Sequence, residues 1–461
     1  MLNRDPMYAK GVSLLQGALT LDHSISIPEL GTLFDWRGDR PLQKMKRTLA
    51  TAYGMAGAFP STNGTTILNI LALLTATTPG MHVLVNRDAH VSVLAAMIHG
   101  DLVPHYVVPK YDRTLGVALG PTLESVRSTL DANPQVRCLF LTSPNYFGIV
   151  CDLEQIIAFA HERGVTVIVD AAHGPHLHFC DALPPGAEDL GADFVTMSTH
   201  KVANALSQGS LLLFRNLSDR ERLYENVNNL GFVSTSFSFP ILASIELGVH
   251  QLVERGQAIW RATIDLAEEF RARVRREPGV NCFGVEEVRA RGMRDLDRSR
   301  VMLDISGTGL TGYAFEDRLI QLDVDPMYPE MATLTGVLFL VTPATSYEDA
   351  WRLLAAIRRI VASGEQRNSR SEMTTPPSLP PRAISPRQAH FARKRAVPPS
   401  EAVGRVSAET VATFPPGAAI IAAGEVVTDE VVEYLRVMRD NGAVLKGLVD
   451  STFQTFRVVA G

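Results

Sequence analysis

Val165-Thr-Val-Ile-Val169-Asp170-Ala-Ala-His173-Gly-Pro-His176, followed by Phe194-Val-Thr-Met197-Ser198-Thr-His200-Lys201, is the stretch on which the fold turns. Each part opens on a short apolar run rich in β-branched residues, as a buried strand requires, and each run ends at a group able to do chemistry. Similar runs stand upstream at Val83-Leu84-Val85 and Cys138-Leu139-Phe140-Leu141. Leu153 to Arg163 lies between two of them with helical spacing of its apolar residues, and Gly164 sits where a C′ glycine ends a helix. From about Leu42 to Asn216 the alternation predicts βαβ units and a mainly parallel sheet, with ligands bound outside the carboxyl ends of the strands.

Further along, Pro240 to Arg276 reads as a long helix, and Val301 to Ile305 and Val337 to Val341 read as strands of a smaller α+β region. A shift to Ser, Arg and Pro between Ala362 and Pro399 predicts an extended connection. The expected division is an N-terminal arm over 1–40, a large domain over 41–223, a small α+β domain over 224–361, a linker over 362–399 and a small C-terminal α+β domain over 400–461. In that last part Val431, Val432, Leu435 and Met438 form a helical stripe that fits a core, and Glu425 fits a structural role, capping the helix that begins near Asp429, better than one at a substrate entrance.

With 461 residues and 46% hydrophobic composition the chain can bury a large core. A net charge of -5 and a pI near 6.2 leave no basic footprint for nucleic acid. The four cysteines are scattered without zinc or disulfide spacing, so free thiols, no metal site and a reducing, cytoplasmic setting are expected. No apolar run reaches the roughly 18 residues that suggest a membrane span.

Three features carry candidate chemistry. Ser61-Thr-Asn-Gly-Thr65-Thr66 places hydroxyls and a glycine before an apolar helix, a layout that suits either a phosphate site or an ordinary N-cap. Asp170 at a strand end can hold a protonated pyridine nitrogen or merely cap a turn. Lys201, beside hydroxyls and a histidine, can serve as a nucleophilic amine or lie solvated. In this order the three have the layout of fold-type I pyridoxal 5′-phosphate (PLP) enzymes, which outweighs the separate structural readings.

With Thr62-Asn-Gly-Thr-Thr66, Asn86-Arg-Asp-Ala-His90, Thr142-Ser-Pro-Asn-Tyr-Phe-Gly148, Asp170 to His176 and Ser198 to Lys201 in family order, the chain resembles the prokaryotic ornithine/lysine/arginine decarboxylases. The likeness continues through Glu330-Met-Ala332, Phe414-Pro-Pro-Gly417, Gly424-Glu425 and Arg457-Val-Val459. It implies an aspartate aminotransferase-like large domain and a decarboxylase of arginine, lysine or ornithine, with a place in polyamine biosynthesis. It also implies that Lys201 forms the Schiff base, Asp170 pairs with the pyridine nitrogen and His90 stacks on the ring. Thr65, Thr66 and Ser198 would hold the phosphate, and Ala172 and His200 would line the pocket, with His200 or Lys201 as proton donor. Thr235, within Ser234 to Ser236, would reach the phosphate of a neighbouring subunit, giving at least a homodimer. Ala171 and Thr333 stand where the family commonly has Glu and Asp, and its early proline-glycine-histidine-lysine motif is not recognisable before Asp22. An aminotransferase or oxidase on the same cofactor, and a non-catalytic regulator on the same scaffold, are the rival readings. The strand Val337 to Thr342 lacks the arginine that transaminases use for a substrate carboxylate, which favours decarboxylation.

Overall fold

The structure is a computed structural model that describes residues 31–113, 115–231, 233–234, 237–322, 326–363, 375–414 and 419–460. The stretch before Asp22 and Thr235 lie outside them. The apolar runs become a seven-stranded sheet of β1 (Gly57–Ser61), β2 (His82–Asn86), β3 (Val103–Val107), β4 (Val136–Thr142), β5 (Thr166–Asp170), β6 (Phe194–Met197) and β7 (Ser210–Phe214), in the order β1-β7-β6-β5-β4-β2-β3. The pairs from β3 through β6 are parallel, and β7 runs antiparallel to both β6 and β1. β5 is buried along almost its whole length, as expected where helices cover both faces of a sheet.

Helices α1 (Pro41–Ala52), α2 (Gly64–Ala76), α3 (Ser92–Gly100) and α4 (Leu153–His161) join the strands of this α/β unit. Gly164 takes a φ of 64°, and Val165 N donates back to the Ala160 carbonyl, closing α4 as its position in the sequence predicts. The expected boundary at 223/224 falls inside the helix Ser218–Asn229, where Leu223, Tyr224 and Val227 belong to the large core. The long helix α5 (Phe239–Val274) likewise gives Leu242, Ile245 and Val249 to that core and Phe270 and Val274 to the next, so the two units share one rigid element.

The small unit is an antiparallel sheet of β8 (Asn281–Cys282), β9 (Arg300–Asp304), β10 (Met331–Ala332) and β11 (Gly336–Leu340), in the order β8-β9-β11-β10. In the C-terminal unit the reading of 362–399 as a connection is corrected over its described part. Pro386–Phe391 is helical, capped reciprocally by Ser385 and Gln388. β12 (Lys394–Val397) pairs with β16 (Phe456–Val459), at the opposite end of the unit. β13 (Val411–Phe414), β14 (Ala419–Ile421) and β15 (Val444–Lys446) form a second small sheet. Against these strands α6 (Asp429–Asp440) buries Val431, Val432, Leu435 and Met438, the predicted stripe.

Candidate active site

The carboxyl ends of β4, β5 and β6 and the start of α2 enclose a cavity of about 400 Å³, with Thr65, Thr66, His90, Asp170, Ala172, Ser198, His200 and Lys201 on its walls. All the sequence-predicted site residues that the structure describes therefore meet in one place.

Asp170 is buried at the end of β5, and Asn69 Nδ2 donates to one of its oxygens at 2.8 Å while Ala172 N donates to the other at 3.0 Å. Asn69 is itself oriented by Thr196 Oγ1, which donates to its Oδ1 at 2.6 Å. These bonds fix the carboxylate from the protein side. Asn69 was not singled out from sequence, yet it lies four residues after Thr65, one turn along the same face of α2.

At the opposite wall Thr65 Oγ1 and Ser198 Oγ stand 2.6 Å apart. Asn63, at the N-cap of α2, makes no side-chain cap hydrogen bond, and Gly64 N donates to the Gln208 carbonyl at 2.9 Å, so it is the amides of Thr65 and Thr66 that the helix start offers to an anion. Gly64 holds a φ of 75°, which turns the chain from β1 into α2 and which a side chain would oppose. His90 Nδ1 accepts from Ser92 N at 3.2 Å and lies 2.9 Å from Ser92 Oγ. His200 Nδ1 donates to the Gly209 carbonyl at 2.8 Å, leaving Nε2 as the free nitrogen; burial lowers its pKa.

Lys201 Nζ is 3.1 Å from His173 Nε2 and 5.7 Å from the centre of the Tyr146 ring. Burial lowers its pKa; Arg300 pulls in the same direction, and Asp170 and Glu330 oppose both. Behind His173 stands a residue that sequence reasoning missed. Arg300, the first residue of β9, donates from Nη2 to His173 Nδ1 at 2.8 Å and is fully buried. Asp297 faces it at 3.7 Å and faces His176 Nε2 at 3.3 Å. Burial alone would raise the Asp297 pKa, but His176 and Arg300 bring it down to about 2.

The two positions of lost carboxylates have structural occupants. Ala171 N donates to the Thr196 carbonyl, continuing the β5–β6 pairing. Thr333 Oγ1 accepts from Thr335 N and Gly336 N in the turn between β10 and β11. Glu425 does not cap α6, whose N-cap is Thr428; it pairs with Arg87, three residues before His90.

Residues 14–298 match the family described as the Orn/Lys/Arg decarboxylase major domain, and residues 367–452 match its C-terminal domain. The chain belongs to the Orn/Lys/Arg decarboxylase family. Within it the chain is 32% identical over 443 residues to the arginine decarboxylase of Bacillus subtilis (strain 168), covering 95% of this chain and 89% of that protein. Lysine decarboxylase A from Pseudomonas aeruginosa superposes with a TM-score of 0.83 at 20% identity, over 99% of this chain and 76% of the other. SPT with a PLP internal aldimine is similar in fold, with a TM-score of 0.59 at 15% identity over 79% of this chain and 85% of the other. As an Orn/Lys/Arg decarboxylase family member the protein is a fold-type I, PLP-dependent amino acid decarboxylase. Among the described residues no helix is long and apolar enough to cross a membrane.

Proposed function

We propose that the protein decarboxylates a basic amino acid, arginine foremost, with Lys201 as the covalent anchor of PLP. The observation that carries this is the meeting of Lys201, Asp170 and the Thr65-Thr66 start of α2 around one cavity in a chain related over 95% of its length to an arginine decarboxylase. The donor set fits the cofactor. Thr65, Thr66 and Ser198 with the α2 amides suit a phosphate, and Asp170, already aimed by Asn69, suits a pyridinium nitrogen. When bound, PLP supplies an electron sink for the pair released as carbon dioxide leaves.

The chain's own residues do the rest. Asp170 would pair with the pyridine nitrogen and His90 would lie against the ring, with Ala172 on the same cavity wall. Lys201 would anchor the cofactor through its amine, and His200 Nε2 or Lys201 Nζ would deliver a proton to the substrate α-carbon. The basic group of the substrate takes an anionic partner, a role suited to Glu330, which accepts from Tyr146 Oη at 3.0 Å and acts electrostatically on Lys201. The family resemblance assigns Thr235, which lies outside the described residues, to the phosphate site of a second copy, and on that ground the active form is at least a homodimer. Four free, buried cysteines support a reducing, cytoplasmic setting.

The test uses purified chain with added PLP and, separately, arginine, lysine and ornithine, following carbon dioxide and amine by mass spectrometry. A visible cofactor band that Lys201→Ala removes, with amine formed from one of the three, is the expected result. A band accompanied by keto acid and no carbon dioxide overturns the decarboxylase reading in favour of transamination.

A further inference from the structure

We infer that Arg300 is a positioning residue that fixes the proton of His173 on Nε2 and thereby holds the Lys201 amine in its neutral, nucleophilic form. This rests on the reading of Lys201 as the reactive amine. The geometry leaves a single proton pattern. A guanidinium has only donors, so at 2.8 Å from Arg300 Nη2 the His173 Nδ1 must accept. A ring that accepts at Nδ1 is neutral and carries its hydrogen on Nε2. That hydrogen points at Lys201 Nζ, 3.1 Å away. An ammonium has no lone pair to receive it, so the contact is a hydrogen bond only when Lys201 is an amine.

The pattern is locked from behind. Arg300, Asp297 and His176 are fully buried, and the ring of Trp260, also fully buried, lies 3.9 Å from the His176 ring, centre to centre. Gly148, at a φ of 83°, has no side chain where one would strike Arg300 Cγ. Arg300 does not line the cavity, whereas His173 and Tyr146 do, so it acts through His173 and is not placed to grip a substrate carboxylate.

Other groups also face Lys201: Asp170 and Glu330 favour its charged form, and Arg300 opposes that form directly. The charges of protonated His90 and His200 would oppose it too. These charge effects and burial must be separated from the His173 hydrogen bond, and His173→Phe separates them. It keeps the Arg300 charge and an apolar neighbour while removing the donor. Burial and charge alone then leave the Lys201 titration where it was or lower it further; the relay requires it to rise.

The experiment follows acetylation of Lys201 by acetic anhydride against pH in the full chain freed of cofactor, with peptide mass spectrometry as the readout. This needs neither PLP nor turnover, so it stands whatever reaction the loaded enzyme performs. His173→Phe is expected to move the midpoint up by about one pH unit, the value of one hydrogen bond to the neutral form. Arg300→Met should move it at least as far, and Arg300→Lys, which keeps a donor and a charge, should restore more than half of that shift. A midpoint that stays or falls in folded His173→Phe overturns the inference. If Arg300→Met does not fold, the His173→Phe result alone decides.

Discussion

The ion pair between Arg87 and Glu425 ties the C-terminal unit to the loop that carries His90, and its burial makes the cost of breaking it large. The two nitrogens of Arg87 donate to the two oxygens of Glu425 at 2.7 and 2.8 Å, and the side chains are only 10% and 2% exposed. Arg87 also donates to the Ile420 carbonyl and stacks 4.7 Å from the centre of the Tyr106 ring, and Glu425 accepts from Ala422 N at 2.7 Å. Glu425→Leu would leave a guanidinium buried without its counter-charge and orphan an amide, a loss of about 3–5 kcal/mol for the first alone. Hydrogen exchange of peptides from α6 measures the opening of the unit directly. Their exchange should accelerate by about 10² to several times 10³-fold. Arg87→Leu combined with Glu425→Leu should recover much of the loss, because no unpaired charge remains. Arg436, whose partner Glu433 is 62% exposed, is the control: Arg436→Leu should cost less than about 1 kcal/mol. If Glu425→Leu cost no more than that control, the argument from burial would be refuted.

Three further outcomes follow from the same kind of reasoning. Asn69→Leu removes the donor at 2.8 Å to Asp170 and the acceptor of Thr196 Oγ1, so PLP affinity measured by absorbance titration should fall about tenfold or more, the value of one hydrogen bond to a buried charge. Glu188 is buried with both carboxylate oxygens unpartnered, and burial raises its pKa to about 8 from 4.5. The folded chain therefore holds a proton there that the unfolded chain releases, and this contribution to stability, full below the unfolded value, is lost as pH rises through the folded one. Urea midpoints compared at about pH 6 and about pH 9 should fall for the wild type and fall less for Glu188→Gln. Gly248→Ala would set a methyl 2.0 Å from the carbonyl oxygen of Ala203, two residues after Lys201, so the backbone must move. A loss of about 1–3 kcal/mol in urea denaturation and a drop in kcat are expected.

How much of this could be read from the sequence follows how far each determinant reaches along the chain. Asp170 and Lys201 were legible because a strand announces its own end: the apolar run stops, and in a parallel sheet that stop faces the ligand. Thr65 and Thr66 were legible because hydroxyls at a helix start have a local use. The capping pair Ser385 and Gln388, with Pro386 at the first helical position, was equally local, but a Pro-rich composition over the whole segment masked it. The pairing of Lys394–Val397 with Phe456–Val459 had no local signal, since nothing in a four-residue strand that buries only Val397 specifies a partner at the far end of the unit.

Arg300 was not legible, because it stands one residue before the apolar run Val301 to Ile305 that marks its strand. The strand Val337 to Thr342, where a transaminase would meet a substrate carboxylate, contains no arginine. The arginine stands on the neighbouring strand β9, paired with that one at Arg300 opposite Leu340, and faces His173 from behind the cavity wall. A sequence pattern can assign a charged residue to a strand, but which strand of an antiparallel sheet turns its end toward a site in another unit is set by packing over more than a hundred residues. The proton pattern that follows from that packing depends on donor and acceptor identity, which only the contact reveals. The same fold can therefore keep Lys201 and Asp170 at their strand ends while their reactivity is set by residues that no motif contains.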